Sequence, residues 1–184
     1  MSKIGNKPIK LPKGVEIKID GNTISVKGKN GTLQKSFPPG IDVVIEDGEV
    51  KCALAKTEGQ IPKSQRALHG LVRSLVNNMI VGVTEGFSKS LELIGVGYKV
   101  ASKAKDQITL SVGYSHTVDY SSLPGVEMKV EGNKIIVSGI DKEHVGQSAA
   151  EIRAVRPPKH YKDGAGIRYV GENVRIKVGK KLAA

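Results

Sequence analysis

The chain has 184 residues, and its 29 lysines and arginines against 18 acidic residues give a formal net charge of +11. This length allows one large domain or two small ones, and an apolar share of 39% is enough for folded cores. No run approaches the roughly 20 apolar residues of a transmembrane helix, and the basic N-terminus lacks the apolar segment of a secretory signal. The single cysteine, Cys52, excludes an internal disulfide framework and a CxxC site. These features predict a soluble, reduced, intracellular protein.

The first half of the chain consists of short alternating segments, followed by one segment with helical periodicity. The alternating segments are bounded by turn residues such as Gly21-Asn22, which is typical of β-hairpins. The predicted strands lie at residues 15–20, 24–26, 32–36, 41–46 and 49–54. Residues 62–80 are predicted to form an amphipathic helix, because the apolar residues recur at intervals of three or four. Its predicted apolar face consists of Leu68, Leu71, Leu75 and Met79.

The second half follows the same plan. Its predicted strands lie at residues 91–102, 107–112, 117–120, 126–131 and 134–138. Asp141 is the predicted N-cap of a second helix that ends before Pro157. Val145, Ala149 and Ile152 share one face of this helix and are predicted to be buried.

The similar order of elements in the two halves indicates an internal duplication. Aligning residues 14–28 with 125–139 gives nine identities in fifteen positions, but it pairs a first hairpin with a last one. Aligning Pro39-Gly40 with Pro124-Gly125 keeps every element in order, and we therefore prefer that register. The predicted fold is α+β, with two similar domains, each an antiparallel β-sheet packed against one main helix. The predicted domains are residues 1–82 and 83–184, with a short linker at 82–86.

Signals for catalysis are weak, so we expect a protein that is not an enzyme and has no cofactor or metal. The histidines are scattered and form no recognisable metal motif; they are His69, His116, His144 and His160. His69 is predicted on the polar side of the first helix. The segment Gly95-Val96-Gly97 begins like a dinucleotide-binding loop, but Val100 stands where the third glycine is required.

Most of the surplus charge lies near the C-terminal end, where nine bases and two acids occur between Arg153 and Lys181. Within this region, residues 156–169 combine two stiffening prolines, flexible glycines, bases and two tyrosines. The bases can contact phosphates, and tyrosine rings can stack on a base or ribose. We predict a loop that belongs to neither a helix nor a central strand and binds a polyanion, with nucleic acid favoured over an anionic membrane surface. A solvated basic tail, or an ordinary surface loop with its tyrosines packed inward, is the alternative.

The predicted RNA-binding residues share positive charge, an aromatic ring or a glycine that permits close approach. They are Arg153, Arg156, Lys159, Tyr161, Lys162, Gly164, Gly166, Arg168, Tyr169, Arg175 and Lys177. The N-terminal lysines form a second candidate contact; they are Lys3, Lys7, Lys10 and Lys13. Residues after Lys177 are expected to become ordered only on RNA. If about six bases meet phosphates, the logarithm of the affinity is expected to fall with log salt at a slope of about −4 to −5.

Three separated motifs resemble the bacterial large-subunit ribosomal protein L-six family. Residues 81–87 and 91–98 resemble its inter-domain signature, residues 156–169 its C-terminal signature, and residues 2–5 and 8–9 its N-terminus. The turn at 163–166 departs from the shorter glycine-lysine-glycine turn of that family. The resemblance implies two similar α+β domains and a structural role in translation, on ribosomes in the cytoplasm. It also implies that the second domain binds 23S rRNA near the sarcin-ricin loop and the stalk base, beside other ribosomal proteins and the translation factors that dock there.

Two other classes remain open from the residues alone. An RNA-modifying enzyme would need a cofactor pocket, and an architectural DNA-binding protein would bind duplex DNA as well as RNA.

Overall fold

The structure, a computed structural model, describes residues 2–46, 48–54, 63–161 and 164–177, with the side chain of Ser64 excepted. The chain divides into two compact units, Met1–Gly86 and Phe87–Ala184. The described residues of each unit combine antiparallel β-sheets with one helix, so the predicted α+β class is confirmed.

The described residues of the first unit form six strands and one long helix. These are β1 (Ile9–Lys10), β2 (Glu16–Asp20), β3 (Thr23–Gly28), β4 (Gly31–Ser36), β5 (Ile41–Glu46), β6 (Glu49–Leu54) and α1 (Lys63–Thr84). They make two three-stranded antiparallel sheets, with strand orders β2-β3-β4 and β1-β6-β5. Ile24 and Val26 of β3 and Val50 of β6 are buried together with the apolar face of α1.

The described residues of the second unit form seven strands and one helix. These are β7 (Phe87–Ile94), β8 (Lys99–Ser102), β9 (Gln107–Ser111), β10 (Val118–Ser121), β11 (Val126–Glu131), β12 (Lys134–Gly139), α2 (Lys142–Val155) and β13 (Gly166–Tyr169). Their sheets have the orders β10-β9-β8 and β11-β12-β7-β13. The predicted N-cap is confirmed, because Asp141 Oδ1 accepts a hydrogen bond from the Glu143 amide at 2.8 Å. Val145, Ala149 and Ile152 are buried, also as predicted.

The duplication is confirmed in the register that keeps the elements in order. In each unit a hairpin precedes the helix, β5–β6 in the first and β11–β12 in the second. The second strand of that hairpin pairs with the first strand of its unit, β1 or β7. The sheets β2-β3-β4 and β8-β9-β10 correspond in the same way. Strand β13 has no counterpart among the described residues of the first unit, and it joins the free edge of β7.

The buried face of α1 differs in part from the predicted one, because Met79 is buried as predicted but Leu71 is not. Leu71 is 50% exposed, whereas Val72 and Val76 are fully buried. His69 is also buried rather than on a polar surface, with Nε2 2.9 Å from the carbonyl oxygen of Cys52. Apolar residues occupy two adjacent rows of this helix, so periodicity alone did not decide which row faces the sheets.

The single strand predicted at residues 91–102 is wrong. Strand β7 ends at Ile94 and β8 begins at Lys99, and the two belong to different sheets. Gly95 and Gly97 have φ angles of 150° and 78°, which other residues rarely adopt. These glycines turn the chain from one sheet to the other.

The predicted linker is largely helical. Helix α1 continues to Thr84, whose hydroxyl donates to the carbonyl of Ile80 at 3.0 Å. The compact units divide between Gly86 and Phe87, four residues after the predicted boundary.

Candidate nucleic-acid interface

The segment between α2 and β13 folds back beside itself. The helix ends at Val155, before two prolines that lack backbone donors. The amide of Ile167 donates to the carbonyl of Arg156 at 2.7 Å, and the amide of Lys159 donates to the carbonyl of Ala165 at 3.0 Å. Because β13 is held in the sheet by β7, these bonds fix the preceding loop to a rigid support. The last four residues of the predicted loop, 166–169, therefore form an edge strand, whereas the described residues before them are irregular as predicted.

Gly164 and Gly166 are structural residues of this loop. A Cβ on Gly166 would lie 2.5 Å from Pro158 Cα, so only glycine lets the two backbone segments approach this closely. Gly164 has a φ of 65° and is buried against the side chain of Ile176. The glycines were predicted to allow close approach to a ligand surface, but the close approach occurs between two segments of the protein itself. Neither residue offers a side chain to a ligand.

A second pair of hydrogen bonds joins the loop to the segment after β13. The ring Nδ1 of His160 lies 3.1 Å from the carbonyl oxygen of Arg175, so Nδ1 donates. The amide of Lys177 donates to the carbonyl of His160 at 2.7 Å. Lys177 Nζ lies 5.7 Å from the centre of the Tyr161 ring, which is 60% exposed. These contacts bring the exposed Lys177 and Arg175 beside the segment that carries the exposed Tyr161 and Lys159.

Arg153 has an intramolecular partner. Its Nε and Nη2 donate to the carboxylate of Glu172 at 3.0 and 2.5 Å. The amide of Tyr169 donates to the same carboxylate at 3.0 Å, and the Tyr169 ring lies 5.9 Å from the Arg153 guanidinium. The hydrogen bonds from Arg153 and Tyr169 hold the pKa of Glu172 below its ordinary value. Arg153 and Tyr169 therefore brace the segment after β13 against the end of α2.

Arg168 is neutralised in a similar way. It lies opposite Glu92 in the register of β13 and β7, and its Nε donates to Glu92 Oε1 at 2.6 Å. Both side chains are only about one quarter exposed, at 24% and 25%. Two of the arginines predicted from the charge run thus hold the fold together. A turn brings Glu172, an acid of the same run, to Arg153, and long-range strand pairing brings Glu92 to Arg168.

Arg156 lies in an aromatic cluster that the sequence did not predict. Its guanidinium carbon is 4.7 Å from the centre of the Tyr114 ring, and its Nε donates to the Tyr98 hydroxyl at 3.4 Å. This hydrogen bond raises the pKa of Arg156 above its ordinary value. The ring of His116 stacks on Tyr114 with 5.8 Å between ring centres and an angle of 15°. The only sequence signal was a repeated Gly-Tyr pair, at 97–98 and 113–114.

The interface is an open surface with a shallow cleft. The cleft has a volume of about 380 Å³, and it lies between the two prolines of the loop and residues 172–175. Lys162 and the residues from 178 onward lie outside the described residues, as does the predicted ordering of the tail. In the first unit, the N-terminal lysines that form the second candidate contact are exposed; they are Lys3, Lys7, Lys10 and Lys13.

The described residues contain no cluster of three or more histidine, cysteine or acidic side chains that could hold a metal ion. None of their helices is long and apolar enough to cross a membrane. The fold and this surface together define a class: a duplicated α+β protein whose second unit presents cations and aromatic rings on rigid loops.

Comparison with known proteins identifies the family. The family described as Ribosomal protein L6 matches residues 11–86 and 94–170, one match in each half of the chain. Proteins named large ribosomal subunit protein uL6 are 53% identical in Caldanaerobacter subterraneus subsp. tengcongensis and 51% identical in Thermoanaerobacter sp., over 98% of both chains in each case. The protein of the same name from Moorella thermoacetica is 52% identical over 98% of this chain and 96% of the length of that protein. The chain belongs to the Ribosomal protein L6 family.

This membership confirms the resemblance seen in the sequence. The family consists of structural ribosomal proteins and not of enzymes, so the prediction of a non-catalytic, ribosome-associated protein of the bacterial cytoplasm is also confirmed. The RNA-modifying enzyme is thereby excluded.

Proposed function

We propose that this protein is a structural component of the large ribosomal subunit that binds large-subunit rRNA through its second unit. The observation that carries the proposal is the pair of hydrogen bonds joining His160 to Arg175 and Lys177. These bonds collect cations from two separate chain segments on one exposed surface. A fixed set of cations binds a folded polyanion better than mobile ones, because less side-chain and loop entropy is lost on binding.

Four of the predicted cations are available for phosphates. None of them lies within ion-pair distance of a described carboxylate; they are Arg156, Lys159, Arg175 and Lys177. Three of these side chains are exposed, and Arg156 is partly exposed beside Tyr114. Arg153 and Arg168 leave the proposed phosphate-binding set because Glu172 and Glu92 already neutralise them. Tyr161 contributes an exposed ring next to Lys177, suited to a ribose or a base.

The proposed position is near the sarcin-ricin loop and the base of the stalk. The support for it is the resemblance of residues 156–169 to the C-terminal signature of the family, together with the name of the relatives, which places them in the large subunit. At this position the partners are rRNA and neighbouring ribosomal proteins, and translation factors dock close by.

Salt-dependent binding tests this proposal. The affinity of the full chain for in vitro transcribed 23S rRNA is measured by filter binding over a series of KCl concentrations. Four phosphate contacts predict a slope of log affinity against log salt of about −3 to −4. Lys177→Ala is expected to make the slope shallower by about 0.7 to 0.9, which is the contribution of one phosphate.

Lys129→Ala is the matched control, because Lys129 is an exposed lysine on β11, at the opposite edge of the sheet from β13. It is expected to leave the slope unchanged. An affinity that does not depend on salt, or an equal effect of both variants, would contradict the proposed interface. Hydroxyl-radical footprinting of the bound rRNA then tests the position, and protection away from the sarcin-ricin loop and stalk base contradicts it.

A further inference from the structure

Three side chains of the second unit form a continuous stack of flat groups. The Arg156 guanidinium lies 4.7 Å from the centre of the Tyr114 ring, and the His116 ring stacks nearly parallel on Tyr114 at 15°. Tyr114 is 42% exposed and His116 is exposed. A ring that served only packing would contribute more to stability if it were buried. The exposure of these rings therefore indicates a role in binding.

The stack is held in place before any ligand arrives. The hydroxyl of Tyr114 donates to the carbonyl of Val155 at 2.9 Å, one of the carbonyls that the end of α2 leaves without a helical partner. Arg156 follows immediately in the chain, so the same helix end positions the ring and the guanidinium. Rigid placement of this kind lowers the entropy lost when a ligand binds.

Tyr98 joins the stack to the rest of the unit. Its ring lies between Gly95 and Gly113, and a Cβ on either glycine would lie within 3.1 Å of a ring atom. Its hydroxyl accepts the hydrogen bond from Arg156. The loop between β7 and β8 and the loop between β9 and β10 therefore meet at Tyr98, and both carry a Gly-Tyr pair at the meeting point.

The chemistry of the two loops suits RNA rather than a cationic or metal ligand. Residues 95–103 and 112–118 contain no acidic residue. Aromatic rings and guanidinium planes are the groups on which proteins stack unpaired RNA bases, because bases inside an A-form helix are already stacked and cannot be reached. A cation next to the ring adds attraction for the adjacent phosphate.

We propose that the stack of Arg156, Tyr114 and His116 is a binding site for one unpaired nucleobase of large-subunit rRNA. This inference rests on the proposed function, since it requires that the second unit meets RNA. It adds a contact of a different kind. The cations Lys159, Arg175 and Lys177 neutralise phosphates, and Arg156 neutralises the phosphate next to the stacked nucleotide. The aromatic rings of the stack hold a base that the RNA fold leaves outside its helices. The base slides onto the exposed aromatic surface and lengthens the stack by one ring.

Paired variants of Tyr114 test this site. Tyr114→Phe keeps the ring and loses the hydrogen bond to Val155, whereas Tyr114→Leu removes the ring. We expect Tyr114→Leu to lower the affinity for 23S rRNA about tenfold and Tyr114→Phe to lower it much less. Neither variant changes the salt slope, because stacking releases no counterions. His116→Ala is expected to weaken binding and His116→Phe to retain it.

Ultraviolet crosslinking of the unaltered protein to 23S rRNA is the second measurement, and it does not depend on how a variant folds. We expect a zero-length crosslink on the tryptic peptide covering residues 106–129, at Tyr114 or His116. Equal affinities of the Leu and Phe variants, together with no crosslink on this peptide, would overturn the nucleobase site. A loss of incorporation into subunits with unchanged affinity for rRNA would also overturn it, because the stack would then dock a protein.

The two proposals fail in different ways. If the unaltered chain does not bind rRNA at any salt concentration, the proposed function is wrong. If it binds with the expected slope while Tyr114→Leu binds equally well, only the nucleobase site is wrong.

Discussion

The ion pair between Arg153 and Glu172 offers a direct way to separate cations that hold the fold from cations that bind RNA. We consider the substitution Glu172→Gln, which keeps the shape of the side chain and removes its charge. Three hydrogen bonds end on the Glu172 carboxylate, two from Arg153 and one from the amide of Tyr169. The amide of glutamine still accepts from Tyr169, but Arg153 loses its two charge-assisted bonds.

The expected loss is moderate because the pair is only partly buried. A hydrogen bond to a charged group contributes about 1.5 to 3 kcal/mol net when it is protected from water. The side chains of Arg153 and Glu172 are 32% and 24% exposed, so solvent screens part of this energy. We expect Glu172→Gln to lower the free energy of unfolding of the second unit by about 1 to 2 kcal/mol. For a unit of this size the melting temperature then falls by about 5 to 10 °C.

Tyrosine fluorescence measures this loss in the second unit alone. All five tyrosines lie between residues 98 and 169, and the chain has no tryptophan. Glu127→Gln is the matched control, because Glu127 forms a longer and well-exposed ion pair with Lys105 at 3.9 Å. Exposed pairs contribute little to stability, so this variant is expected to melt within about 1 °C of the unaltered protein.

RNA binding supplies the complementary result. Arg153→Ala is expected to leave the salt slope unchanged, because its guanidinium is already neutralised within the protein. The reasoning is refuted if Glu172→Gln melts like the control and Arg153→Ala makes the slope shallower by about 0.7 to 0.9. Arg153 would then bind a phosphate, and the ion pair with Glu172 would contribute nothing to the fold.

Three further predictions concern the glycines and the pH dependence of the fold. Gly166→Ala is expected to cost about 2 to 3 kcal/mol, because its Cβ would overlap backbone atoms that cannot move independently; an unchanged melting curve by tyrosine fluorescence would contradict this. Gly5→Ala places a Cβ 2.5 Å from the buried ring of His69. This variant is expected to raise the rate at which a thiol reagent labels the buried Cys52, the single cysteine of the chain. An unaltered labelling rate would show that the His69 ring can move aside. The pKa of Glu172 is lower in the folded state than its ordinary value of 4.5. The stabilisation by Glu172 is therefore complete at a pH above 4.5 and is lost as the pH falls through the lower pKa of the folded state. Glu172→Gln is expected to make the free energy of unfolding depend less on pH in this acidic range.

Several elements were predictable because local sequence decides them. Strand alternation and turn residues located the hairpins, and the β5–β6 and β11–β12 pairs match the predicted segments closely. Asp141 begins α2 because a side chain at this position can satisfy a free amide of the first turn, a contact that spans only two residues. The duplication was visible for the same reason, since both halves repeat these local signals in one order.

Other features were not predictable because they depend on contacts between distant residues. Val72 rather than Leu71 is buried because the sheets, and not the helical period, choose which row of α1 they cover. The stack at Tyr114 requires a loop between two strands to meet the end of a helix about forty residues later. No pattern within either segment indicates that meeting.

By itself the sequence determined the class of fold, its duplication and the end of the chain where the positive charge collects, because these follow from local periodicity and from counting. Only the tertiary structure decided what each cation does. Arg153 pairs with Glu172 across a turn, 19 residues away along the chain, and Arg168 pairs with Glu92 across two strands, 76 residues away. The side chains of Lys159, Arg175 and Lys177 are exposed on the surface. The sequence shows that an arginine is charged, but whether that charge is neutralised depends on which carboxylate the fold brings within hydrogen-bond distance.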